Sequence, residues 1–331
     1  MIRYNSAIAG CGAISSIHGD AITGCQNANL YAVCDIDRVK ASKAADKYAC
    51  KNFTDYETML SDKSIDVIHI CTPHYLHAPM AISAMKAGKN VLVEKPMAIS
   101  VSDAQEMISV SGQTGKKLGI CFQNRYNTTA QKTKEVLGAG KAGRVLGGKA
   151  LVTWHRDEAY YRTGDWRGTW EKEGGGVLIN QAIHTLDLLQ WFMGDVERVR
   201  ASVDTRMLDK VIEVEDTAEA TIFFRNGAAA LFYATNCYCV DSPVEIELVC
   251  EKATISLKDD LTIRYKNGET EHAADVDKAT GEKAYWGCGH KLLIEDFYSK
   301  LISGESFEPD GTQGIKAIEI ISAIYKNSRM H

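Results

Sequence analysis

Along the first 120 residues, short apolar runs alternate with stretches whose apolar positions recur at helical spacing. Asn5–Ala9, Leu30–Cys34, Ile65–Cys71, Asn90–Val93 and Leu118–Phe122 predict strands, and Ala13–Thr23, Arg38–Tyr48, Tyr56–Ser61, His77–Ala87 and Val101–Thr114 predict the helices between them. Strand and helix in strict alternation is the pattern of a parallel sheet wrapped by helices. Gly88 stands where a helix would end, because glycine enters the left-handed region without a Cβ penalty.

After Phe122 the rhythm changes. Longer alternating runs at Arg144–Trp154, Val199–Met207, Thr217–Phe224 and Ala228–Cys237 predict half-buried strands. Asn226-Gly227 and Asn267-Gly268 are tight hairpin signals, since both central residues of such a turn need positive φ. One helix is predicted at Val177–Met193, and two more near Lys291–Ile302 and Gln313–Asn327. The expected architecture is an α/β nucleotide-binding domain over residues 1–123, followed over 124–331 by an α+β domain with a large, mostly antiparallel open sheet.

Length and composition agree with two soluble domains: 331 residues, 45% hydrophobic and 24% charged. The net charge of −5 offers no footprint for a nucleic-acid backbone, so a small-molecule partner is expected. No apolar stretch reaches the roughly 18 residues of a membrane span, and the glycine-rich segment at Gly10 leaves no room for a signal peptide; the expectation is a cytoplasmic protein. The ten cysteines contain no CxxC pair and read as small core residues. A zinc site from Cys288 and His290 with Cys237 and Cys239 matches no standard ligand spacing, and no metal is expected.

Gly10-Cys11-Gly12-Ala13-Ile14-Ser15 directly follows the first predicted strand and opens a helix. In that context Gly10 permits a tight turn, Gly12 lets a pyrophosphate approach the backbone, and Ala13 and Ile14 lead into a helix N-terminus rich in unpaired N–H donors. The alternative is a plain turn. Asp35 ends the second strand about 25 residues after Gly10, where a carboxylate would grip the adenosine ribose and repel a 2′-phosphate, so NAD is favoured over NADP. Arg38 is near enough to soften that preference or to stack on adenine. Asp35 or Asp37 could equally cap the next helix.

Thr72-Pro73-His74-Tyr75-Leu76-His77 and Glu94-Lys95-Pro96 both follow apolar strands at the edge where open α/β sheets bind ligands. Pro96 restricts Lys95 to an extended or turn conformation. Further on, Gly174-Gly175-Gly176 precedes a run in which Asn180, His184 and Asp187 share one helical stripe among leucines and isoleucines. Three aligned polar groups on a buried helix form either an internal hydrogen-bond network or the wall of a site. Trp154, Arg156, Tyr160, Trp166, Arg167 and Trp170 make an aromatic and basic cluster suited to the faces and hydroxyls of a sugar, or to an ordinary packed loop.

Together the glycine turn, Thr72-Pro73 with His77, Glu94-Lys95-Pro96, Trp166-Arg167-Gly168 and the triple glycine before His184 resemble the Gfo/Idh/MocA oxidoreductases over nearly the whole chain. The resemblance implies an N-terminal Rossmann domain and a C-terminal sheet that mediates a homodimer or homotetramer. It also implies NAD-dependent hydride transfer at a secondary alcohol carbon of a sugar, polyol or sugar derivative. Lys95 and His184 correspond to the catalytic pair. Gly10, Gly12, Ala13, Ile14, Asp35, Arg38, Thr72, Pro73, His74, His77, Glu94, Lys95, Trp166 and Arg167 would serve the cofactor. Lys95, Arg125, Arg156, Tyr160, Asn180 and His184 would serve the substrate. Many members carry aspartate where this chain has Asn180; an amide takes no proton, so Asn180 is cast as positioning. The alternatives are a redox-assisted glycosidase or lyase that retains NAD, and a non-catalytic cofactor-sensing regulator, against which the presence of both Lys95 and His184 argues.

Overall fold

The computed structural model describes residues 3–275 and 289–328. Contacts divide the chain into two compact units, Met1–Gln123 with Cys288–Ile315, and Asn124–Gly287 with Lys316–His331. The described residues 289–315 thus group with the first unit although they lie far beyond it in sequence.

In the first unit the elements run β1 (Tyr4–Ala9), α1 (Ser15–Gly24), β2 (Ala28–Cys34), α2 (Arg38–Tyr48), β3 (Lys51–Phe53), α3 (Tyr56–Ser61), β4 (Val67–Ile70), α4 (His74–Lys86), β5 (Asn90–Val93), α5 (Val101–Thr114) and β6 (Leu118–Ile120). The six strands are all parallel in the order β3-β2-β1-β4-β5-β6, the doubly wound arrangement expected of a dinucleotide-binding domain. Ile8, Val33, Ile68, Val91 and Leu92 are almost fully buried, which is why these strands read as continuous apolar runs.

The second unit contains α6 (Thr128–Gly138), β7 (Val145–Thr153), α7 (Glu158–Tyr161), α8 (Val177–Asn180), α9 (Ile183–Met193), β8 (Val196–Asp204), β9 (Thr217–Phe224), β10 (Ala229–Thr235), β11 (Glu245–Cys250), β12 (Ala253–Lys258), β13 (Asp260–Tyr265) and β14 (Thr270–Ala273). Its eight strands lie in the order β14-β13-β12-β11-β7-β10-β9-β8; β7 and β10 pair parallel and the other pairs are antiparallel. Ala230, Phe232 and Ala234 of β10 are buried while Leu231 between them is 62% exposed, so one face of the sheet is covered and the other open. Two helices close the chain, α10 (Gly289–Ser303), which packs on α1, and α11 (Gly311–Asn327).

The single helix expected at Val177–Met193 is broken in two. Ala182 N–H donates to the carbonyl of Val177 five residues back, and α9 starts afresh at Ile183. The apolar spacing runs through the break without a phase signal, so periodicity alone does not reveal it.

Candidate active site

The chemistry of the first unit gathers at the carboxyl ends of its parallel strands. Gly10 follows β1 with φ +91°, and a Cβ there would lie 2.6 Å from the carbonyl oxygen of Cys71, so the turn requires glycine. A Cβ at Gly12 would meet nothing within 4 Å; the exposed backbone of Gly12 and Ala13 leaves room for a ligand. Beyond Ile14, α1 begins without an acidic residue in its first turn and, among the described residues, without a side-chain cap. Its leading N–H groups are therefore available to an anion, with a favourable dipole.

Asp35 stands beside this turn. Its Oδ2 accepts from Cys11 N–H at 2.7 Å and its Oδ1 from Asp37 N–H at 2.8 Å, leaving each oxygen further lone-pair capacity for a ribose hydroxyl. The helix cap is Asp37, which accepts from Val39 and Lys40 N–H at 2.9 and 3.3 Å. Arg38 is exposed at the start of α2, and Ile36 between the two aspartates is 95% exposed, an apolar surface that sequence reading passed over.

Two residues expected to touch cofactor lie beneath the site instead. His77 is 1% exposed; its Nδ1 lies 2.6 Å from the carbonyl of Pro96 and its Nε2 2.8 Å from that of Thr72. It therefore ties the Thr72-Pro73 loop to the Glu94-Lys95-Pro96 loop. Because α4 already begins at His74, directly after Pro73, His77 falls in the helix's first turn facing the interior. Burial lowers its pKa, which the two carbonyls partly counteract. Glu94 is likewise buried: Oε1 faces His18 Nε2 at 2.9 Å, and Oε2 accepts from Lys95 N–H at 3.2 Å. Lys95 itself is half-buried at the end of β5, followed by a cis peptide to Pro96.

In the second unit a separate polar cluster centres on Tyr160. Its hydroxyl accepts from Arg167 at 2.6 Å, from Gln181 at 3.1 Å and from Asn180 at 3.3 Å. The guanidinium of Arg167 lies over the rings of both Trp166 and Tyr160, and that of Arg156 over Trp154 and Tyr160. Asp241 anchors Arg156 at 2.9 Å. Asn180 Nδ2 donates to Glu173 Oε1 at 2.5 Å. A carboxylate only accepts, so this bond fixes which way the amide faces. The second oxygen of Glu173 accepts from Gly168 N–H, leaving Glu173 buried under the triple glycine. Sequence reading passed over Glu173; the one signal was an acidic residue immediately preceding three glycines.

The polar stripe divides accordingly. Asn180 belongs to the Tyr160–Glu173 cluster, His184 is half-buried on α9, and Asp187 turns to Arg125. Arg125, expected on the substrate side, is buried in a bidentate pair with Asp187 at 2.8 and 2.6 Å and lies over Trp191. Burial pushes the Asp187 carboxyl up from its ordinary value, and the guanidinium pulls it back only in part.

Residues 4–122 match the family described as an oxidoreductase family with an NAD-binding Rossmann fold, and residues 130–256 match the Gfo/Idh/MocA C-terminal domain. The chain belongs to the Gfo/Idh/MocA family. Among solved structures it is similar to the WlbA dehydrogenase of Bordetella pertussis in complex with NADH and UDP-GlcNAcA, at 30% identity with a TM-score of 0.89, covering 99% of this chain and 96% of that one. Among curated proteins it is 28% identical to the uncharacterized oxidoreductase YrbE of Bacillus subtilis over 68% of this chain, spanning 65% of that relative's length. It is 28% identical to the inositol 2-dehydrogenase of Salmonella typhimurium over 59% of this chain and 56% of that one. Among the described residues no helix is long and apolar enough to cross a membrane.

Proposed function

We propose that this chain is an NAD-dependent dehydrogenase that transfers a hydride between nicotinamide and a secondary alcohol carbon of a sugar, polyol or sugar derivative. The observation that carries this reading is the shared strand edge of the first unit, where the Gly10–Ile14 turn, Asp35, the Thr72-Pro73-His74 loop and Lys95 follow β1, β2, β4 and β5. The open backbone at Gly12 fits a pyrophosphate, Asp35 fits the ribose hydroxyls, and Ile36 with Arg38 offers adenine an apolar and a cationic face. When bound, NAD would supply the hydride acceptor.

Lys95 or His184 takes or returns the substrate hydroxyl proton. A positioned acid or base of this kind contributes about 10²–10⁴-fold. Asn180, held by Glu173, and Tyr160, flanked by Arg156 and Arg167, position substrate hydroxyls; Trp166 and Arg167 serve the cofactor. The buried Arg125–Asp187 pair has a supporting role. Names of relatives support the substrate class: inositol 2-dehydrogenase, levoglucosan dehydrogenase, and a dehydrogenase crystallised with a nucleotide-linked sugar acid.

The open face of the eight-stranded sheet, with Leu231 and Val249 exposed, supports assembly into homodimers or homotetramers, and the compartment we propose is the cytoplasm. The deciding experiment is a panel of polyols, free sugars, glycosides and sugar nucleotides scored by NADH absorbance, with products read by mass spectrometry. NADH formation from one class supports the reading. Cleavage of a glycoside without net NADH would replace it with a redox-assisted lyase, and silence across a panel that still yields NAD binding would favour a cofactor sensor.

A further inference from the structure

Beneath the Lys95 loop lies a buried group that the proposed reaction does not use. His18 on α1, Glu94 after β5, Cys121 after β6 and His290 on α10 are all buried, and one ligand-type atom from each lies within 4.8 Å of all the others. Glu94 Oε1 is 2.9 Å from His18 Nε2 and 3.6 Å from His290 Nε2, and Cys121 Sγ is 4.0 Å from His18 Nε2. Zinc bound tetrahedrally at 2.0–2.3 Å sets its ligand atoms roughly 3.3–3.7 Å apart, so shifts of an ångström or less bring these four into coordination.

We propose that His18, Glu94, Cys121 and His290 form a closed structural site for a divalent transition metal, zinc being the best match. The second observation that points to a ligand is His290. Its side chain is almost wholly buried, its Nδ1 has no hydrogen-bond partner among the described residues, and its Nε2 is aimed at Glu94 from beyond hydrogen-bonding distance. Charge also fits: one thiolate, one carboxylate and two neutral imidazoles neutralise a dication in a dry site. Binding breaks the Cys121 S–H bond and releases that proton to solvent; the sulfur keeps the electron pair and donates it to the metal.

The surrounding hydrogen bonds accommodate both states. His18 Nδ1 meets His69 Nδ1 at 2.8 Å, His69 Nε2 meets the Tyr298 hydroxyl at 2.7 Å, and Tyr298 meets Ser6 Oγ at 2.5 Å. Without metal the chain runs from Ser6 through Tyr298 and His69 to His18, whose Nε2–H donates to Glu94. With metal on His18 Nε2 every donor reverses, so that Nδ1–H of His18 donates outward as metal-bound imidazoles do. Reversing the donors moves no net charge along the relay. Four segments distant in sequence would then be tied together, and with them the residue preceding Lys95.

The test uses the full chain, with neither NAD nor substrate, so it stands apart from the dehydrogenase reading. The chain is produced in zinc-depleted, cobalt-supplemented medium, dialysed against chelator-free buffer, and read by elemental analysis and absorbance. Equimolar cobalt with intense tetrahedral d–d bands and a thiolate-to-cobalt charge-transfer band is expected. Cys121→Ser should abolish the charge-transfer band, and His290→Gln should lower retained metal at least tenfold, with circular dichroism checking that each variant folds. Wild-type protein that retains no cobalt or zinc overturns the proposal. So does metal retained with an unchanged spectrum in a folded Cys121→Ser variant, which would put the ion elsewhere.

Discussion

Glu94 in the first unit and Glu215 in the second are both buried carboxylates, and their neighbours move them in opposite directions. Burial pushes Glu94 up, but His18 and His290 more than reverse that and hold it well below its ordinary value. Glu215 is met by Gly176 and Leu178 N–H at 3.0 and 2.9 Å and by the Tyr325 hydroxyl at 2.9 Å. These dipoles only partly offset burial, and Glu215 is pushed up to about 7. At Glu215 the fixed dipoles satisfy the hydrogen bonds without outweighing burial, whereas at Glu94 the two imidazoles outweigh it. The contrast extends to the units: the strand edge of the first presents polar groups to ligand, whereas much of the buried polarity of the second holds its own backbone.

The largest effect that could sharpen this contrast is on turnover. Lys95→Met should lower kcat by about 10²–10⁴-fold while NADH, followed by fluorescence, still binds and the melting temperature stays near wild type. A variant that turns over normally removes Lys95 from the chemistry. Asp187→Ala in the second unit should do the converse. Stranding the Arg125 guanidinium without its bidentate partner costs about 3–5 kcal/mol in denaturant unfolding. Arg125→Met combined with Asp187→Leu should recover much of that loss, because it removes the stranded charge. A double variant as unstable as the single one would show that the pair does more than satisfy itself.

Next in size is a pH effect from Glu215. Its folded-state pKa of about 7 lies above the ordinary 4.5, so the folded chain binds the proton more tightly than the unfolded chain. The resulting stability is fully present below about pH 4.5 and is lost as pH rises to about 7, by roughly 3 kcal/mol in all. Denaturant midpoints should fall across that window. In Glu215→Gln that component should vanish; an identical slope would assign it to other groups.

How much of this contrast is readable in advance depends on how local its causes are. The apolar runs that became β1, β2, β4, β5 and β6, and the helices Arg38–Tyr48, Tyr56–Ser61 and Val101–Thr114, are visible because their burial repeats within a few residues. The strand Lys51–Phe53 is not: it is three residues at a sheet edge, with Lys51 and Asn52 exposed, too short for any period to register. The glycine turn, Asp35 and Lys95 are legible because the strand-end location is itself a signal. The inward placement of His77 and Glu94 is hidden, since ligand-facing and loop-pinning residues share the same segments. Glu173 holding Asn180, Asp187 pairing Arg125, and His290 approaching Glu94 join residues that no sequence period connects.

The smallest effect separates two carboxylates only two residues apart in the first unit. Asp37 accepts from Val39 and Lys40 N–H and caps α2, so Asp37→Ala should cost about 1 kcal/mol of stability and leave the NAD Michaelis constant unchanged. Asp35 accepts from Cys11 N–H on the glycine turn and from Asp37 N–H at the head of α2. Replacing it with asparagine keeps one of these two acceptor oxygens, turns an NH2 group toward the other N–H, and removes the charge that repels a 2′-phosphate. Asp35→Asn should therefore narrow the NAD over NADP preference, while Asp37→Ala lowers melting temperature without touching that preference. If instead Asp37→Ala shifts the preference and Asp35→Asn does not, the two roles are exchanged, and the ribose lies against the helix cap and away from the glycine turn.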